Sequence, residues 1–145
     1  MDLCDFLPFL EKYAASGRKK LLIVAKQIIC EAMTMLITNL QAGNLEVLCV
    51  KGPAFGERQR WMLEDMAVFT GATLVAHETG DPWRAIELDV LGGADRVRAT
   101  RDQTFIVQGH GAAVAIQDRV EYIWMQHGRM KNHFDREKHQ ERANN

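Results

Sequence analysis

Short aliphatic runs alternate along this chain with segments of helical spacing, and that alternation limits the folds open to it. Leu21-Leu22-Ile23-Val24-Ala25 is a continuous apolar run, which predicts a strand buried on both faces. Leu45-Glu46-Val47-Leu48-Cys49-Val50 reads as a second strand and Thr73-Leu74-Val75-Ala76 as a third. Between them, residues 31–40 read as a helix closed by Gly43, and residues 57–70 as a helix ending at Gly71. Lys51 to Gly56 contains Gly52 and Pro53 and reads as a loop. A further helix precedes the first strand, from Phe6 to about Ser16. Asp5 caps it, Pro8 falls in its tolerant first turn, and Gly17 ends it. Strand, helix, strand, helix, strand predicts parallel pairing with right-handed crossovers.

The second half changes character. Residues 95–100 and 104–108 flank Arg101-Asp102-Gln103 and read as two antiparallel strands around a short turn. Residues 112–129 form a long helix on which Ile116, Val120, Ile123 and Trp124 are spaced for one buried face. Residues 135–142 form a final helix, in which Glu137 and Glu141 interleave with Arg136, Lys138 and Arg142. Such interleaving reads as a solvated face. The expected class is α/β, one domain over residues 1–145.

Several function classes are excluded by what is present. Lys plus Arg number 18 and Asp plus Glu 19, so no global charge grips a nucleic acid. No apolar run approaches the ~18 residues of a membrane helix. The opening MDLCDFLPFLEKY is acidic where a secretory signal is basic, so a cytoplasmic protein is expected. Cys4, Cys30 and Cys49 are widely spaced, as befits buried, reduced thiols.

Catalytic patterns are equally sparse. Gly109-His110-Gly111 follows a strand, but Val114 stands where a dinucleotide fingerprint needs glycine. No GxxxxGK[ST] and no HExxH occurs. His127, His133 and His139 recur at intervals of six, which is not one-face ligand spacing, and they read as surface residues of a polar tail. Cys30, at a helix start, lacks an assignable base. Glu64 and Asp65 are adjacent, about 100° apart on a helix, and make no acid/base pair. Neither catalytic residues nor a metal site are expected.

Two helices carry more apolar residues than one buried face requires. On the first, Phe6, Phe9 and Tyr13 make one stripe, and Leu7, Leu10 and Ala14 a second, offset by about 100°. On the second, Ala32, Leu36 and Asn39 make one stripe, and Met33, Ile37 and Leu40 the next. Side by side, the second stripes would form an apolar groove able to take a partner's side chains. Alternatively, both stripes are core.

Several ordered blocks resemble one family. Val50-Lys51-Gly52-Pro53-Ala54-Phe55-Gly56-Glu57-Arg58, then residues 62–73 (MLEDMAVFTGAT), are similar to the VKAPGFGDRR and MLQDIA segments of group I chaperonins (GroEL type). Residues 6–11 (FLPFLE), 21–25 (LLIVA) and 31–33 (EAM) resemble further segments of their apical domain, as do residues 115–120 (AIQDRV) and 135–142 (DREKHQER). The resemblance implies a chaperonin apical domain-like fold, a mixed sheet flanked by helices, with the domain's N-terminal strands unmatched here.

It also implies a molecular chaperone module. Non-native polypeptides and, alternatively, the mobile loop of a GroES-type co-chaperonin would lie between the two amphipathic helices. Matched position by position, Leu7 and Leu10 fall on binding residues of the first helix and Met33 and Ile37 on those of the second. Thr38 stands where the family is usually apolar. ATP and Mg, held by a domain with no counterpart here, and other chaperonin subunits belong to the full-length family. The chain is therefore expected to be a fragment or truncated relative without ATPase activity, and without nucleic-acid or membrane partners. Two alternatives stand beside this. One is a scaffold domain with a fixed partner. The other is a doubly wound enzyme with a ligand at the strands' carboxyl ends, near Lys26, Lys51 and His77. Ala54 replaces a family glycine, so the loop is expected to bend differently if that position needs φ > 0.

Overall fold

A computed structural model describes residues 3–27, 34, 38, 45–75 and 86–145, with the side chains of 3–7 outside that description. Its elements, in order, are α1 (Leu3–Ala15), β1 (Lys20–Ala25), β2 (Glu46–Lys51), α2 (Gly56–Thr70), a 3-10 turn (Leu88–Val90), β3 (Ala94–Ala99), β4 (Thr104–Gly109), α3 (Ala113–Arg129) and α4 (His133–Asn144). The class is mixed α/β: among the described residues, four helices and two small two-stranded sheets, one parallel and one antiparallel.

The helix boundaries follow from end chemistry. Gly71 closes α2 with φ 73°, the left-handed conformation that costs glycine least. Asn132 caps α4 by accepting the Phe134 amide at 3.0 Å. Gly17, at φ 77°, turns the chain out of α1. That helix starts earlier than expected, so Pro8 lies beyond its first turn and removes one helical hydrogen bond.

β1 and β2 pair in parallel from Lys20↔Glu46 to Ala25↔Lys51, the register their apolar runs require. Of β1, however, only Leu21 is buried, while residues 22–25 are half-buried. A two-stranded sheet offers too little area for the two-faced burial expected of this run. The third strand is not formed at Thr73–Val75. Instead the Thr73 amide donates to the Val90 carbonyl at 2.9 Å, which ties this stretch to the 3-10 turn.

The main core joins α1 to this sheet. Phe9, Leu10 and Tyr13 of α1 meet Leu21, Leu45 and Ile86, with Ile23, Val47, Cys49 and Leu88 around them. Tyr13 hydroxyl donates to the Lys20 carbonyl, and Lys12 reaches Glu87 at 2.6 Å.

β3 and β4 pair antiparallel, Ala94↔Gly109 through Ala99↔Thr104, and form a hairpin rooted on the end of α2. The Gly93 amide donates to Thr70, and the Gly111 amide to Phe69, both at 2.9 Å. A Cβ at Gly109 or Gly111 would overlap the Phe69 or Val68 carbonyl. The Gly-His-Gly sequence thus permits close backbone contact.

Candidate functional site

The expected groove residues separate once their surroundings are considered. Leu10 does not face a groove: it is 3% exposed and lies inside the core. On a helix Tyr13 falls between Phe9 and Leu10, so the three occupy one arc of about 100°, the width of a single core-facing stripe. The buried face of α1 is therefore wider than the Phe6, Phe9 and Tyr13 stripe alone and takes in Leu10. Ala14, from that same stripe, is exposed. The side chain of Leu7, and Met33 and Ile37 altogether, lie outside the described residues. Thr38 is helical and exposed, and its hydroxyl donates to the Thr34 carbonyl at 2.9 Å. The hydroxyl is therefore satisfied within its own helix, which lowers the cost of covering Thr38 with an apolar group.

A second constellation joins residues that spacing alone does not bring together. Arg119 of α3 donates through Nε to Asp65 Oδ1 at 2.8 Å and through Nη2 to Glu64 Oε2 at 2.9 Å. Arg142 of α4 donates through Nε to Asp65 Oδ2 at 2.7 Å and through Nη2 to Oδ1 at 3.0 Å. Asp65 thus gathers guanidinium groups from two other helices. Partial burial would favour the neutral form of Arg119, but the hydrogen bonds and charges of Asp65 and Glu64 outweigh it and hold its pKa above the ordinary value.

The charged final helix is consequently not a solvated face throughout. The Arg142 side chain is 8% exposed. His139, expected on the surface, is buried: Nδ1 donates to the Asp135 carbonyl at 2.9 Å, which leaves Nε2 to accept from Arg142 at 3.3 Å. Trp61 packs edge-on against this imidazole. Arg58 reaches Asp135 at 2.6 Å while lying over the Phe134 ring. These contacts clamp α2, α3 and α4 together. With both carboxylates bound to guanidinium groups, the cluster offers no free base. His139 and Arg142 are four and seven residues from Asp135, but that spacing alone does not distinguish a buried helix face from a wet one.

The alternative enzyme site has a partial counterpart. Lys26, Gln27, Lys51, Phe55, Gly56 and Gln59 line a cleft of about 360 Å³ at the carboxyl ends of β1 and β2. His77 lies outside the described residues. Phe55 is 78% exposed, with the Lys51 ammonium 5.1 Å from its ring centroid. Gln59 is buried and spent on the Gly52 carbonyl at 2.9 Å. Behind Phe55, Ala54 adopts φ 61°, the left-handed conformation that favours glycine, so the loop does not bend away from it for want of one.

Cys30 and the Cys4 side chain lie outside the described residues; burial pushes the Cys49 thiol up, away from reactivity. Among the described residues no three His, Cys, Asp or Glu side chains are grouped to hold a metal. No helix among them is long and apolar enough to cross a membrane. No family model matches the sequence.

Proposed function

We propose that this chain is a chaperonin apical domain-like module of the cytoplasm that holds apolar segments of non-native polypeptides. The observation that carries this reading is the meeting of separate blocks of family-like sequence. Asp65, Arg119 and Arg142 come from the MLEDMAVFTGAT, AIQDRV and DREKHQER segments, and they join in one ion cluster. Segments likened to one family by sequence alone thus depend on one another physically, as parts of one inherited fold would.

The binding surface in this reading is formed by Leu7, Met33, Ile37 and Thr38, without Leu10. Its ligand is any chain that exposes apolar side chains, because burying a Leu-sized group is worth roughly 1.5–3 kcal/mol. A co-chaperonin loop of GroES type would compete for the same surface. One site binds weakly, since ordering a flexible chain consumes much of that gain. Several subunits together would add avidity. The module itself performs no covalent chemistry and needs no cofactor.

The test is the affinity of the 145-residue chain for a reduced, unfolded protein, compared with Met33→Glu and Ile37→Glu. Both substitutions are expected to abolish weak binding while leaving the thermal transition in place. Wild-type protein that binds no unfolded chain, or variants that melt before they lose binding, would refute the proposal.

A further inference from the structure

Two exposed surfaces of this chain complement each other in charge and in apolar content. The first is one face of the β3–β4 hairpin. Register places Arg96 opposite Val107 and Arg98 opposite Phe105, so these four share a face. Phe105 is 50% and Val107 44% exposed, and both arginines are exposed as well. Neither arginine has an ion-pair partner among the described residues.

The second surface is the outer ridge of α3. Val114, Asp118, Glu121 and Met125 recur every three or four residues, on the side of the helix opposite Ile116, Val120 and the buried Ile123. All four are exposed, and Tyr122 beside them is 47% exposed. Among the described residues Asp118 and Glu121 carry no ion pair, in contrast to the nearby Arg119, which is committed to Glu64 and Asp65.

We infer that the occupant of the hairpin face is the α3 ridge of a second copy of this chain. Arg96 and Arg98 meet Asp118 and Glu121, while Phe105 and Val107 cover Tyr122 and Met125. Each surface brings two charges without an ion-pair partner among the described residues, and two or three exposed apolar side chains. One copy of each surface per chain makes the contact heterologous. Used reciprocally by two chains, it closes a dimer; otherwise it propagates head to tail. This is independent of polypeptide binding, because none of these residues belongs to the proposed groove.

Charge reversal on each surface tests the inference, with solution mass measured by analytical ultracentrifugation across a concentration series. Wild type is expected to associate, and to do so less as salt is raised and the exposed charges are screened. Arg96→Glu with Arg98→Glu, and separately Asp118→Lys with Glu121→Lys, are each expected to be monomeric, with unchanged circular dichroism. An equimolar mixture of the two variants restores both matched contacts and is expected to regain the wild-type mass. Wild type that stays monomeric at about 1 mM, where contacts of millimolar dissociation constant half-populate, overturns the inference. So does a mixture that remains monomeric. A monomer whose Arg96 and Arg98 bind a single-stranded oligonucleotide would overturn it too, and would assign the hairpin face to nucleic acid.

Discussion

Replacing Leu10 by Ala separates the core role of α1 from a binding role. Leu10 is 3% exposed and sits among Phe9, Tyr13, Leu21, Leu45 and Ile86. The substitution deletes the isopropyl group beyond Cβ, a loss of about 2.4 kcal/mol at roughly 0.8 kcal/mol for each of its buried carbons. A cavity that the aromatic neighbours only partly fill raises the cost to about 3–4 kcal/mol. Alanine's better helix propensity returns only a few tenths. For a chain of this size, about 3 °C per kcal/mol gives a fall in Tm of about 10 °C. Thermal unfolding followed by circular dichroism measures it, and a urea melt supplies the free energy. Binding of an unfolded protein, assayed well below the transition, is expected to change little. A variant with wild-type Tm and abolished binding would show that Leu10 faces a ligand, and the core assignment would be wrong.

Other outcomes follow from single features. Ala54→Gly relieves a left-handed alanine and is expected to raise stability by about 0.5–1 kcal/mol, seen as a small increase in Tm. Asp65→Ala strands Arg119 and the nearly buried Arg142, and is expected to cost about 3 kcal/mol in a urea melt. Burial raises the pKa of Tyr13, offset in part by Arg18. The folded state therefore keeps its phenol proton after the unfolded state has begun to lose it. This contribution is intact below about pH 10 and declines as pH rises through the higher folded value, a slope in urea midpoint that Tyr13→Phe is expected to remove.

Elements governed by local chemistry were legible in the sequence. The hairpin turn and α2 with its Gly71 ending follow from turn residues and a terminating glycine, and the parallel pairing of β1 and β2 from the alternation of strand and helix segments. What escaped was set by long-range contact. Leu10 and Ala14 share a stripe by spacing, yet one is buried and the other exposed, because only tertiary packing fixes how wide the covered arc is. Thr73–Val75 has a strand's composition, but its amide hydrogen bond goes to Val90, far along the chain. Arg142 and His139 look like any polar tail until Asp65 and Trp61 are brought beside them. Of the proposed site, Thr38 is helical and exposed, but its place there rests on the family resemblance and not on spacing. The left-handed backbone at position 54 was not legible, because alanine rarely adopts it.

The glycines at the foot of the hairpin have a mechanical consequence. With no side chain between them, Gly109 and Gly111 leave main chain resting on main chain at the end of α2. The Phe69 ring also lies against Gly109, so a tilt of that helix end carries the two strands with it. The hairpin is in effect a lever whose fulcrum is a pair of absent methyl groups. Even one added methyl at either site would shift its far tip more than its base.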